Sequence, residues 1–145
     1  MAHIYDTPDR NQVGRLVGSA LLNYFQRLMV FSVQANRLDL IGHAGQEPDR
    51  PAIALDAMPV FRDRLSEPGM RYGPLAADTR LVEFCDMFGF DEPKGGLVAT
   101  IETFEGPCLA VYADNGAAGD LYEDMHDVEL LLKEAQTALM MLGPR

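Results

Sequence analysis

Apolar residues recur every three or four positions at both ends of this chain, while the sequence between them alternates or runs continuously apolar. Toward the C-terminus Leu121, Met125, Val128, Leu131, Leu132, Ala135, Leu139 and Leu142 fall on one side of a helix closed by Gly143-Pro144. Asp120 with Glu123 three positions later has the form of a capping box, and Asp124 and Asp127 add negative charge at the positive helix end. The pattern predicts a helix over 121–142. Toward the N-terminus Val13, Leu16, Val17, Ala20, Leu21 and Tyr24 repeat the spacing behind Thr7-Pro8, a pair suited to a helix start, and predict a helix over 8–26. An amphipathic helix has to bury its stripe, so the middle of the chain must offer apolar surface to both.

That middle reads as strands with short helices between them. Leu28-Met29-Val30-Phe31-Ser32-Val33 is continuous and rich in β-branched residues, and Arg37 to Gly42 alternates. With Ala35-Asn36 between them, these two runs predict a hairpin. Gly45 to Pro51 reads as a loop, and Ala52 to Leu55 as a short strand. Asp56 is placed to cap a helix from Met58 to Ser66, and Met70 to Leu75 is again extended. Asp78 or Thr79 then caps a helix carrying Leu81, Val82, Phe84, Cys85 and Phe88. Leu97 to Phe104 and Cys108 to Tyr112, separated by Glu105-Gly106, predict a second hairpin, expected to form the central pair of the sheet.

This order gives an α+β class, an antiparallel sheet flanked by helices. The chain resembles the GAF superfamily of sensory domains from about Pro8 to Leu142. The most specific part is Val98 to Gly116, "VATIETFEGPCLAVYADNG", preceded by "RYGPL" from Arg71 to Leu75. It looks like the diverged GAF-like regions of bacterial regulators, in which a strand ending in "YADN" hands over to the last helix. The resemblance implies that the N- and C-terminal helices pack together on one sheet face while the middle segments cover the other. It also implies one domain over 1–145, with Met1 to Asp6 flexible. Cyclic-nucleotide-binding relatives carry an Asn-Lys pair and then Phe, three residues and Asp-Glu. Here Phe88 is followed by Gly89, Phe90, Asp91 and Glu92, one residue short and with no Asn-Lys pair before it. Bilin-binding relatives attach their pigment through a Cys beside a His, and neither Cys85 nor Cys108 has such a neighbour.

The chemistry-bearing residues give no catalytic constellation. The 12 Lys and Arg against 22 Asp and Glu leave a net charge of −10, which repels phosphate backbones; no basic patch offsets it, and no nucleic-acid partner is expected. The longest uncharged run, Leu16 to Gln26, is far short of the roughly 20 apolar residues of a membrane span. With no secretory pattern at Met1 to Arg10 and only two cysteines, the expectation is a cytoplasmic protein. Cys85, among Val82, Phe84 and Phe88, and Cys108, at the head of a core strand, read as small buried apolar side chains. A thiol pair of this kind also invites comparison with GAF-type methionine sulfoxide reductases, the less favoured reading. His3, His43 and His126 have no partner at metal-ligand spacing. Asp114, Asn115, Asp120, Glu123 and Asp124 contain oxygen ligands but not the spacing of a calcium loop. Asp114-Asn115-Gly116 is better read as a tight turn and Asp120 as a cap. No metal and no cofactor are expected.

By resemblance, the sheet and the middle segments can enclose a small cavity, whose lining would be Phe61, Tyr72, Phe84, Ile101 and Tyr112; a filled core is the favoured state, because a cavity must be stabilised against collapse. The helical pair is expected to form a homodimer through Gly14, Gly18, Leu22, Leu132 and Leu139. For Gly14 and Gly18, four apart, close packing within the chain is the favoured reading and the dimer contact the alternative. The functional expectation is a non-enzymatic signalling domain acting on other signalling proteins by contact, the alternative being a sensor of an unidentified small molecule. A roadblock-type platform would instead place a third strand directly after Tyr112.

Overall fold

The computed structural model describes residues 10–34, 37–44, 52–54, 69–74, 83, 93–104, 106–116, 119 and 124–142. Its elements are α1 (Arg10–Leu21), β1 (Arg27–Gln34), β2 (Arg37–Ala44), β3 (Ala52–Ala54), β4 (Gly69–Pro74), β5 (Gly95–Thr103), β6 (Gly106–Asp114) and α2 (His126–Met141). The six strands form one antiparallel sheet in the order β3-β2-β1-β6-β5-β4. The architecture is the expected α+β arrangement, with one difference at its centre. The middle of the sheet is not the second hairpin but the seam between the two hairpins, where β1 pairs with β6 from Arg27 opposite Asp114 to Ser32 opposite Leu109. The physical reason lies in the sequence of β1: Arg27 to Val33 is buried without a break. A strand with no solvent-facing residues needs cover on both faces and neighbours on both edges, which an outer position does not provide.

α1 and α2 pack against each other on one face of the sheet, α1 over β1 and β2 and α2 over β5. Val13, Val17 and Leu21 of α1 and Val128, Leu132, Ala135 and Leu139 of α2 share a core with Leu28 and Val30, Leu97, Ala99 and Ile101, and Leu109, Val111 and Ala113. Every second residue of the central strands therefore points to the helices. The intervening residues Met29, Phe31, Val98, Ala110 and Tyr112 are buried as well, on the face away from the helices.

Both helices are shorter than the apolar spacing predicts. α1 stops at Leu21, because Tyr24 and Phe25 both donate their amides back to the Leu21 carbonyl, at 2.9 Å each. This turn swings Phe25 into the core, and Asn23 ties the turn down through its side-chain amide on the Ala20 carbonyl. α2 begins at His126 rather than Leu121, so the Asp120-Glu123 pair precedes the helix start and is not its capping box. Asp124 accepts from the His126 amide at 2.8 Å, and Asp127 and Glu129 supply negative charge in the first turn. The expected helix over 58–66, the expected helix from 78 to 88 apart from Glu83, which is helical and exposed, the loop from 45 to 51, Cys85 and Met1 to Asp6 lie outside the described residues. Among the described residues no helix is long and apolar enough to cross a membrane.

Candidate functional site

The densest polar cluster in the described structure sits on the sheet face away from the helices. Arg27 begins β1 and Asp114 ends β6, and antiparallel pairing sets them directly opposite each other. The Arg27 guanidinium grips the carboxylate side-on, with Nε 2.9 Å from Oδ1 and Nη2 2.9 Å from Oδ2. Both side chains are nearly sealed from solvent, at 8% and 0% exposure. Tyr112, two residues earlier on the same face, donates its hydroxyl to Asp114 Oδ2. The Gly116 amide donates to Asp114 Oδ1 at 2.9 Å. This last bond is an Asx turn: Gly116 takes a φ of 73°, a left-handed conformation that glycine adopts at little cost. A carboxylate offers about four acceptor sites, and these donors occupy them. Asp114 therefore has no lone pair to spare for a metal ion or a substrate proton. The expected tight turn at Asp114-Asn115-Gly116 is present, with a role that the turn alone does not reveal.

Asn115 faces the other way and works on the backbone. Its Oδ1 accepts from the Gln26 amide at 2.9 Å, and its Nδ2 donates to the Tyr24 carbonyl at 3.2 Å. The "YADNG" segment thus clamps the α1–β1 connection to the end of β6. Arg27 is the member that reading the sequence missed. The signal for it was a cation at the head of an otherwise apolar run, with its partner 87 positions away.

The three described residues of the expected cavity lining are not brought together. Tyr72 and Ile101 belong to the helix face, where Tyr72 packs on Phe25 with ring centroids 6.2 Å apart, whereas Tyr112 points to the opposite face. Strand alternation makes this split unavoidable, since Tyr112 lies between Val111 and Ala113, both of which face the helices. Phe61 and Phe84 lie outside the described residues. Ile101 instead helps to floor an open groove of about 430 Å³ between α2 and strands β4 and β5. Met70, Ala99 and Leu132 complete its apolar floor, and Glu129, Lys133 and Gln136 stand along its rim.

The expected dimer residues also divide. Gly14 and Gly18 face this chain's own sheet: a Cβ at Gly14 would overlap Ile41 Cδ1, and one at Gly18 would sit 3.4 Å from Val30 Cγ2. Leu132 and Leu139 are core residues. Of the five, only Leu22 is exposed, at 53%. These helix positions are taken by intrachain packing because the small residues lie on the same side of α1 as Val17 and Leu21. Cys108 is a buried free thiol 2.9 Å from Arg10 Nη1, with Thr103 Oγ1 at 3.8 Å. His43 and His126 are exposed on separate elements, and His3 is outside the described residues.

No protein-family model matches the chain, and no curated protein matches it. Solved structures do. The GAF domain of a two-component sensor histidine kinase from Bacillus halodurans superposes with a TM-score of 0.69 at 10% identity, covering 94% of this chain and 97% of that one. The GAF domain/HD domain protein from Geobacter sulfurreducens gives a TM-score of 0.67 at 11% identity over 97% of this chain and 98% of its own. A type II free methionine-R-sulfoxide reductase from Thermoplasma acidophilum gives 0.62 at 12% identity, with 92% and 95% covered. The chain has the fold of GAF domains.

Proposed function

We propose that this GAF-like chain is a signalling domain that works without chemical turnover, by contact, and that it self-associates through the outward side of its terminal helices. The observation that carries this reading is a pair of exposed apolar side chains on α2. Leu130 and Met141 are 45% and 71% exposed and lie about three turns apart on the same side of the helix, away from the core. Glu134 and Thr137 stand exposed between them, so this side of α2 offers a partner two apolar anchors in a polar surround. The Bacillus halodurans domain belongs to a two-component sensor histidine kinase, which supports a role of the same kind here. Light scattering at high micromolar concentration is expected to give a dimer that Leu130→Glu with Met141→Glu converts to monomer. A monomeric parent protein would overturn the self-association.

The groove beside α2 favours a second reading, a sensor of a small molecule, since its size falls within the range of ligand pockets. Stabilisation in a thermal-shift screen of metabolites, lost on Ile101→Trp, would support it. Reduction of free methionine sulfoxide, abolished by Cys108→Ser, would overturn the non-catalytic reading.

A further inference from the structure

Two dipeptides that are remote in sequence grip each other where β1 begins and β6 ends. Gln26 gives its amide to Asn115, and Arg27 gives its guanidinium to Asp114. The bonds close a ring: Gln26 and Arg27 are covalently joined, as are Asp114 and Asn115. One half of the ring is on the buried face away from the helices, with Tyr112 as an additional donor. The other half holds Tyr24 and Gln26, immediately after the last turn of α1. The Gly116 amide on Asp114 Oδ1 makes the ring stiff, because it fixes the backbone between the carboxylate and the turn.

We infer that Asp114-Asn115 is a coupling device, joining the seating of the far-face ion pair to the docking of the α1–β1 connection so that loosening either half loosens the other. The inference goes beyond the self-association proposed above and stands whether or not the chain dimerises. Its basis is mechanical. Asp114 has no slack, since its acceptors are all used, so movement of its carboxylate carries the backbone of residue 115. Asn115 makes its two bonds with one rigid amide plane, so that movement is felt at Tyr24 and Gln26 together. By reciprocity, the coupling must read the same from both ends.

The test perturbs each half and reads the other by hydrogen exchange in the intact chain, with the Val111 amide in the central strand as internal reference. Asn115→Ala removes no far-face donor, yet exchange of the Arg27 Nε proton is expected to accelerate at least about fivefold relative to the reference. Asp114→Asn leaves Asn115 in place, yet the Gln26 amide is expected to accelerate by a similar factor. In the double variant the two accelerations should not multiply. Acceleration below about fivefold at the remote half, or multiplication in the double variant, would overturn the coupling. If Asp114→Asn does not fold, the Asn115→Ala measurement decides alone.

Discussion

The two faces of the central strands are buried to a similar degree but built on different plans. Toward the helices the core residues are apolar from Leu28 and Val30 to Val111 and Ala113, with Ser32, opposite Leu109, the one buried polar side chain among the described residues of that face. On the other face Met29, Phe31 and Ala110 share the surface with Arg27, Thr100, Tyr112 and Asp114, all buried. An apolar face loses stability in proportion to the volume removed, because its contacts are many and individually weak. A face closed around an ion pair fails more abruptly, because removing one partner leaves the other charged, buried and unmatched.

The largest effect expected from this difference is at the ion pair. Asp114→Ala should cost about 3–5 kcal/mol in urea unfolding, and Arg27→Met in the Asp114→Ala background should recover a large part of it by removing the stranded guanidinium. A loss in the single variant no larger than that of an exposed pair would show that this face is wetter than its geometry indicates. The next effect belongs to the helix face. Leu139→Ala should cost about 3 kcal/mol, with Leu139→Met costing well under half as much, since volume rather than charge is at stake there. If Leu139→Met proved as damaging as Leu139→Ala, the helix face would depend on exact shape, and the contrast would narrow.

The helix face is also the one that is legible in the sequence. Val13, Val17 and Leu21, and Val128, Leu132, Ala135 and Leu139, announce their stripe by local spacing alone. The hairpins announce themselves by the switch to β-branched and alternating residues between turn signals. The helix limits were not legible: the apolar period continues through Tyr24 and begins at Leu121, whereas the chain turns at Leu22 and the helix starts at His126. Periodicity records which side of a segment is apolar, and not where its hydrogen-bond ladder stops. The far-face cluster was half legible. "YADNG" stood out as a motif, but its meaning depends on Arg27, and nothing local links residues 27 and 114; only the register between the two hairpins does. Misreading the second hairpin as the centre of the sheet hid that register. Tyr72 and Tyr112 part company for a related reason: the face each occupies is set by strand alternation and register, which residue type does not record.

The smallest expected effect separates two positions on the helix face that look identical in sequence. Gly14 and Gly18 both face the sheet from α1, yet the space beneath them differs. A methyl group at Gly14 would overlap Ile41 Cδ1 and stand 3.1 Å from Leu109 Cδ2. One at Gly18 would meet Val30 Cγ2 at 3.4 Å and Leu28 Cδ1 at 3.7 Å, ordinary contact distances. Alanine gains about 1 kcal/mol of helix propensity over glycine at either position. At Gly14 overpacking of about 1–3 kcal/mol outweighs that gain, although the tip of Ile41 can rotate and keep the net loss to about 1 kcal/mol. At Gly18 the gain stands, and Gly18→Ala should stabilise the protein by about 0.5–1 kcal/mol. Paired urea curves of opposite sign would fix α1 as seated more tightly at Gly14 than at Gly18. Curves of the same sign would mean that the helix rides at an even height above β1, and that Gly14 is glycine for some reason other than close approach.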